Sequence, residues 1–167
     1  MKRWIKKHSI FLTLIPVVAI MGMIYGFSAQ NGESSGALSG RITGWILSVF
    51  VPNFHKLSAP KQESMQTALG WIVRKGAHFS EYALLGFFLG LHVRQLQKRF
   101  TFRFPGLWAW LIGVVYAVSD ELHQGYVGGR HPAVMDVLID SSGVLTGVAL
   151  LCLILYRRKY KRLARES

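Results

Sequence analysis

The chain has 167 residues, of which 51% are hydrophobic and only 17% charged, with a formal net charge of +12. This composition is unusual for a water-soluble domain and typical of a polytopic membrane protein. The basic excess does not indicate a nucleic-acid partner, because Lys and Arg flank apolar runs and no nucleic-acid motif stands out. The single cysteine, Cys152, excludes an intrachain disulfide.

Four apolar runs predict four membrane-spanning helices and therefore an all-α fold. They lie at about residues 9–27, 71–93, 107–124 and 134–156. Each is roughly 18–23 residues long, enough to cross a hydrocarbon core of about 30 Å as a helix. We expect one polytopic domain over residues 1–167. The first run should be a retained span, because the bulky Phe27 stands where a signal-peptide cleavage site needs a small residue.

Between the first two runs, residues 28–70 contain a further helical pattern. Apolar residues recur at helical spacing and stop before Pro52: Leu38, Ile42, Trp45, Ile46 and Val49. The pattern predicts a short amphipathic helix on the membrane surface. Such a helix could serve as a lid over a site or as an ordinary interfacial anchor, and the sequence favours the anchor.

The distribution of basic residues predicts the orientation of the four runs. Lys and Arg are concentrated in residues 1–7, 94–106 and 157–165, whereas residues 28–70 and 125–133 carry fewer charges. Basic loops remain on the cytoplasmic side of a membrane. Both termini are therefore expected in the cytoplasm, with the two charge-poor segments outside.

Five of the eight acidic residues lie inside or at the ends of the apolar runs: Glu81, Asp120, Glu121, Asp136 and Asp140. A carboxylate in hydrocarbon costs several kcal/mol unless it is paired or faces a wet cavity. In the predicted orientation all five fall in the outer half of the bundle, on three different helices. One shared polar site in the outer leaflet is the simplest explanation.

Other polar residues are placed to join these carboxylates. Lys75 and His78 share a helix face, Asp120 is followed by Gln124 at i+4, and Arg130 lies in the turn before the fourth run. Gly143 and Gly147 continue the face of Asp136 and Asp140, which predicts close helix packing beneath the site. The complete candidate site is Lys75, His78, Glu81, Asp120, Glu121, Gln124, Arg130, Asp136 and Asp140.

Three interpretations of this cluster follow from its chemistry. It could be a hydrogen-bonded network that only holds the helices together. It could be a catalytic or ligand site, with His78 and the carboxylates in acid–base roles and Lys75 and Arg130 holding an anionic group. It could bind a hard divalent cation such as Mg²⁺, Mn²⁺ or Ca²⁺, although no zinc signature is present. Whether the protein is an enzyme stays open.

The polar motifs, in their order along the chain, resemble those of the VanZ-like family. The similar segments cover most of the chain: 27–30 (FSAQ) with Ser35 and Ser39, 74–86 (RKGAHFSEYALLG), 119–124 (SDELHQ), Gly129 with Arg130, and 136–140 (DVLID) with Gly143. The resemblance implies a multi-pass protein of the bacterial plasma membrane, linked in some members to teicoplanin-type glycopeptide resistance. It implies no particular reaction.

The combined prediction is an outward-facing site that binds or acts on a cell-envelope component, such as a lipid-linked molecule, or a glycopeptide antibiotic. The alternative is a non-enzymatic binder or envelope-organising protein whose polar cluster is structural. In either case the partner with which the chain is in permanent contact is the lipid bilayer.

Overall fold

A computed structural model describes residues 2–30, 32–127 and 132–166. Every regular element in these ranges is helical, which confirms the all-α prediction. The elements are α1 (Lys2–Ser28), α2 (Gly32–Phe50), a 3-10 turn (Phe54–Lys56), α3 (Ala59–Gln97), α4 (Pro105–Gln124) and α5 (Val134–Glu166).

The four long helices form a bundle with alternating directions. Ser28, the last residue of α1, contacts Asp120 near the end of α4, so these two helices run the same way. The helices α3 and α5 run the opposite way, and their contact is the most extensive in the molecule. We call the end where α1 and α4 finish the polar end, and the end where α3 and α5 finish the basic end.

Glycines allow α3 and α5 to approach at backbone distance. A Cβ atom on Gly147 would overlap the carbonyl oxygen of Ala83, and one on Gly143 would lie 2.5 Å from the carbonyl oxygen of Phe79. On the other helix, a Cβ on Gly86 would overlap the carbonyl oxygen of Val144. The predicted close packing through Gly143 and Gly147 is therefore confirmed, and it sets the position of the polar residues one and two turns above.

Three helices extend well beyond the apolar runs that they contain. The helix α1 begins at Lys2, α3 begins at Ala59 rather than near residue 71, and α5 continues to Glu166 rather than ending near residue 156. Hydropathy reports where a chain becomes polar, whereas Lys, Arg, Gln, Glu and Leu all continue a helix readily, so a helix can be longer than the span within it. The 39 residues of α3 rise about 58 Å, nearly twice the thickness of a hydrocarbon core.

The predicted helix between the first two runs is confirmed as α2. It packs on the early part of α3 through the buried Thr43, whose Oγ1 is 3.7 Å from the place a Cβ on Gly70 would take. Three of the apolar residues that predicted this helix point elsewhere: Ile42 is 45%, Trp45 64% and Val49 57% exposed. The helix thus buries Thr43 and Leu47 and leaves these three apolar side chains uncovered.

Two segments of the described chain are long and apolar enough to cross a membrane, Ile10–Ser28 and Val134–Glu166. They correspond to the first and fourth predicted spans. The second and third predicted spans carry the charged residues of the polar cluster, which lower their mean hydropathy. That α3 and α4 also cross the membrane stays a prediction.

Candidate functional site

The polar end brings together side chains from all four long helices. The core beneath them is apolar and includes Ile24, Leu85, Ala117 and Val144, all fully buried. Above that core the buried residues become polar: Ser28, Asp120, Glu121, Gln124 and Asp140 are each at most 7% exposed. Buried polar side chains need partners, and their contacts divide them into two groups.

The first group surrounds one carboxylate oxygen and is called here the Asp120 network: Ser28, Tyr82, Asp120 and Gln124. Three donors reach Asp120 Oδ2, namely Ser28 Oγ at 2.8 Å, Gln124 Nε2 at 3.0 Å and Tyr82 Oη at 3.2 Å. Gln124 Nε2 also donates to Ser28 Oγ at 3.2 Å. These hydrogen bonds stabilise the negative charge on Oδ2 in place of water. Because the donors belong to α1, α3 and α4, the same bonds also connect these three helices.

Two other carboxylate oxygens at the polar end receive no hydrogen bond from the described residues. Asp120 Oδ1 and Glu121 Oε2 are buried without a hydrogen-bond partner among the described residues. The other oxygen of Glu121, Oε1, accepts the backbone N–H of Ala133 at 2.7 Å. Glu121 therefore holds the residue that immediately precedes α5, while its second oxygen stays available.

An ion pair joins α3 to the first turn of α5. The ammonium group of Lys75 donates to Asp136 Oδ1, and the two side chains are 14% and 24% exposed. Asp136 also lies in the first turn of α5, where the partial positive charge of the helix terminus favours a carboxylate. This pair therefore joins α3 to α5 at the polar end.

The second group of polar residues lines a small cavity between α3, α4 and α5, called here the polar cavity. Its volume of about 10 Å³ leaves room for roughly one water molecule. Its wall consists of one apolar residue and six polar ones: Ile139, Lys75, His78, Glu121, Gln124, Asp136 and Asp140.

Of the residues that line the cavity, Asp140 has the fewest stabilising contacts. It is 3% exposed and makes no hydrogen bond to another described residue. Among the described residues, Asp120, Asp136 and Glu121 repel its carboxylate and Lys75 attracts it. A buried carboxylate in this position is expensive for folding, and it faces a space that can admit a polar group.

The structure places the predicted site residues in three situations. Six line the polar cavity, and Asp120 lies behind it in its own network. Glu81 is half-buried and close enough to Asp120 to repel it, but it does not line the cavity. Arg130 lies outside the described residues. Three of the five carboxylates, Glu121, Asp136 and Asp140, thus share the cavity wall, and Asp120 and Glu81 do not line it.

Two residues of the Asp120 network were absent from the predicted site. Ser28 was assigned to the outer loop, but it is the last residue of α1 and is fully buried against Asp120. Tyr82 shares a helix face with Lys75 and His78, seven and four residues earlier, and this spacing was a usable signal. Ser28 had a weaker signal, because it lies in the FSAQ segment that resembles the family motif.

The chemistry open to this site is that of hydrogen bonding and proton transfer. His78 beside several carboxylates provides a donor and acceptor pair, and Lys75 provides a positive charge. Among the residues that the structure describes, no group of three or more His, Cys, Asp or Glu side chains is arranged to hold a metal ion.

Comparison with known proteins identifies the family. The family model described as VanZ/LLP1 matches residues 13–156, which is most of the chain and includes every element of the polar end. The chain therefore belongs to the VanZ/LLP1 family, as its motifs predicted. No curated protein and no solved structure matches it. Together with its two apolar helices, the family membership indicates a membrane protein.

Proposed function

We propose that the chain crosses the membrane four times, with the polar end facing outward and both termini in the cytoplasm. The exposed side of α4 is apolar apart from Ser119, with Trp108 51%, Val115 69% and Leu122 61% exposed. Its polar residues Asp120 and Gln124 instead face the bundle interior, as intramembrane polar residues do. Because the outward side of α4 is largely apolar and Asp120 and Gln124 face the bundle, α4 can lie against lipid. Its low mean hydropathy comes from the charged residues on the inward side.

The charge distribution supports the outward direction of the polar end. The basic end and the N-terminal segment carry 14 of the 20 Lys and Arg residues, with four in 2–7, four in 94–103 and six in 157–165. These are the short segments to which the positive-inside tendency applies. The polar end is then at the outer leaflet.

In this placement, the polar cavity binds a small polar group of a cell-envelope component or of a glycopeptide antibiotic. The observation that carries this proposal is Asp140, a buried carboxylate that makes no hydrogen bond to another described residue and lies on the wall of a water-sized cavity. Proteins keep such unsupported groups mainly where function needs them, because they destabilise the fold. In a structural cluster, Asp140 would be expected to have a donor of its own.

The charges of the cavity wall indicate which chemical group fits. Among the described residues of the wall, the carboxylates Glu121, Asp136 and Asp140 outnumber the ammonium group of Lys75, which is already paired with Asp136. The surplus acceptors favour a ligand group that donates hydrogen bonds, such as a sugar hydroxyl or an ammonium. Only one such group fits in the space, so the rest of the ligand lies outside it, at the membrane surface.

The structural alternative is supported for the Asp120 network but not for the cavity. Asp120 Oδ2 is saturated by donors from three helices, which is the pattern of a helix-joining contact. We therefore assign the network to fold stability and the cavity wall to the ligand. If the protein is an enzyme, the same wall would hold the substrate next to His78, which would act as the acid–base group.

The proposal is tested with purified protein in detergent and with Asp140→Asn and Glu121→Gln. Binding of teicoplanin and of a lipid-linked cell-wall precursor is titrated, and melting temperature is recorded in parallel. Each variant is expected to weaken binding at least about tenfold, which corresponds to the loss of about 1.4 kcal/mol. Ser142→Ala is the matched control, because Ser142 lies on the same helix, is exposed and bonds only to the Ile139 carbonyl. Equal affinity in all four proteins would contradict the proposal.

A second set of variants separates an enzyme, a binder and a structural cluster. Glu81→Gln, Asp120→Asn and Asp140→Asn keep shape while removing charge. If all three lose expression and thermal stability together, the cluster is structural. If all three fold and only Asp140→Asn binds the ligand more weakly, the protein is a binder that holds its ligand at the cavity wall. If Glu81→Gln and Asp120→Asn fold and bind like the wild type but no longer confer teicoplanin tolerance on a host that the wild type protects, the site performs chemistry.

The apolar face of α2 completes the membrane arrangement. With Ile42, Trp45 and Val49 exposed, α2 lies along the outer membrane surface with this face in the lipid headgroup region. A cysteine at position 45 should then be shielded from a water-soluble maleimide in liposomes, whereas a cysteine at the exposed Ser48 should react. Equal labelling at both positions would contradict the surface placement.

A further inference from the structure

A second polar depression lies at the basic end, far from the polar cavity. It is an open cleft of about 520 Å³ formed by the last turn of α3 and the segment that follows it. Its lining consists of Arg94, Gln97, Lys98, Thr101 and Phe102. The volume is within the range of small-molecule sites, about 300–1,000 Å³.

Hydrogen bonds within the segment shape this cleft. Gln97 Nε2 donates to the carbonyl oxygen of Phe102 at 3.0 Å, which folds the segment back against the end of α3. The backbone N–H of Phe100 continues the helical pattern by donating to the Leu96 carbonyl at 2.9 Å. The cleft is thus built by the local fold and does not depend on a partner.

The positive charges of the cleft are not neutralised by nearby carboxylates. Lys98 Nζ donates to a neutral amide oxygen, Gln95 Oε1, at 2.8 Å. No Asp or Glu occurs in residues 82–119 or 141–165. Glu166, the acidic residue at the end of α5, is already paired with Arg162 at 2.9 Å. A dense positive field of this kind attracts an anion.

An uncovered apolar surface borders the cleft. Phe100 is 62%, Phe104 64%, Leu107 51% and Trp108 51% exposed. Phe100 and Phe104 flank the cleft residues Thr101 and Phe102 in the chain, and Leu107 and Trp108 begin the apolar exterior of α4. The combination of a cationic cleft with an adjoining apolar surface matches an amphiphile that has an anionic head and hydrocarbon tails.

The depth of the cleft in the bundle fits the same ligand. Along α3, Lys98 lies about 35 Å from Lys75 at about 1.5 Å per residue. This separation equals the hydrocarbon core of about 30 Å plus a short distance into the headgroups on each side. If Lys75 lies near one interface, the cleft lies in the headgroup layer of the other.

We propose that this cleft is a binding site for an anionic phospholipid. Arg94 and Lys98 hold the phosphate group, Thr101 adds a hydroxyl donor, and the acyl chains lie over Phe104 and Trp108. Basic pockets at the cytoplasmic face of membrane helices bind acidic headgroups in this way. The site is independent of any ligand in the polar cavity and requires only that the bundle is embedded in a bilayer.

The test uses the full chain in detergent micelles, where no bilayer surface contributes a general attraction. Native mass spectrometry follows the titration of phosphatidylglycerol, phosphatidylcholine and inorganic phosphate. We expect a single tightly held phosphatidylglycerol, little phosphatidylcholine, and no displacement by inorganic phosphate. The variant R94Q/K98Q should weaken phosphatidylglycerol binding roughly 20-fold or more, given about 5-fold for each basic residue.

Two controls separate a defined site from general electrostatics. R157Q/R158Q removes the same charge from the basic end outside the cleft and should leave the affinity for phosphatidylglycerol within about twofold of the wild type. Gln97→Ala keeps all charges but opens the segment, and it should weaken binding if the shape of the cleft matters. Equal losses in both double variants, an unchanged affinity in R94Q/K98Q, or displacement of the lipid by inorganic phosphate would each overturn the proposal. Melting temperatures of the lipid-free proteins identify a variant that has lost its fold.

Discussion

Asp120 and Asp140 lie at the same end of the bundle and are equally buried, at 3% exposure each, but their surroundings differ. Asp120 Oδ2 receives donors from Ser28, Tyr82 and Gln124. Asp140 receives none from the described residues and is surrounded mostly by other carboxylates. Burial alone therefore does not identify a functional carboxylate.

The difference between these two regions lies in which groups the fold itself satisfies. In the Asp120 network, hydrogen bonds join helices that are far apart in the chain, and their removal should destabilise the protein. In the polar cavity, the wall carries surplus acceptors, and removal of one of them should cost little stability and much binding. The following substitutions, from the largest expected effect to the smallest, test this separation.

Gly147→Ala should disturb both regions together. The new Cβ would overlap the backbone of Ala83, which cannot rotate away as a side chain would, so α5 must move off α3. We expect a loss of about 3 kcal/mol in the free energy of unfolding, the upper part of the usual range for overpacking. Unfolding in mixed micelles measures it. Gly22→Ala is the control, since no atom lies within 4 Å of a Cβ there; an equal loss at both glycines would contradict the close-packing explanation.

Asp120→Ala should disrupt the network and leave the cavity wall in place. Three buried donors would lose their common acceptor, and each unpaired donor costs about 1–3 kcal/mol before relaxation or entry of water. We expect a net loss of about 2 kcal/mol in unfolding experiments. Asp120→Asn keeps an acceptor oxygen and should remain within about 1 kcal/mol of the wild type. If the alanine variant proves as stable as the asparagine variant, the network is not structural.

Ser28→Ala tests the connection of α1 to this network alone. The change removes the 2.8 Å bond to Asp120 and the acceptor for Gln124, so about 1 kcal/mol of stability should be lost. Ser48 is a matched serine that is exposed and bonds only within its own helix, to the Trp45 carbonyl at 2.7 Å. Ser48→Ala should leave the melting temperature unchanged. A comparable decrease in both variants would contradict the claim that Ser28 stabilises the fold through its bond to Asp120.

Asp140→Asn should act in the opposite direction on stability. It removes a charge that three neighbouring carboxylates repel, so the free energy of unfolding should stay the same or rise by up to about 1 kcal/mol. Binding should decrease at the same time. A variant that is clearly less stable than the wild type would show that Asp140 supports the fold, and the contrast with Asp120 would disappear.

Much of this arrangement could be predicted from the chain alone. The apolar runs and basic segments indicated helices and their alternation, and the Gly143 and Gly147 spacing indicated where α5 approaches α3. The amphipathic pattern before Pro52 predicted α2. These features depend on periodicity and composition, which a sequence displays directly.

The division of the polar residues could not be predicted in this way. Spacing showed that Lys75 and His78 share a helix face, but Glu81 is rotated away from Lys75, and only the packed bundle shows that it lies outside the cavity wall. Likewise, nothing in the spacing of α1 reveals that Ser28 meets Asp120. A helical period determines which residues share a face, whereas the rotation of each helix against its neighbours depends on the packing of the whole bundle.

From its sequence alone, this protein is a basic, mostly apolar helical chain with too many carboxylates for a simple membrane anchor. Its tertiary structure decides which of those carboxylates receive donors from neighbouring helices and which face an unfilled space. The reason is physical: the composition of a chain determines the number of charges that must be buried, but only the meeting of distant side chains determines which of them are compensated.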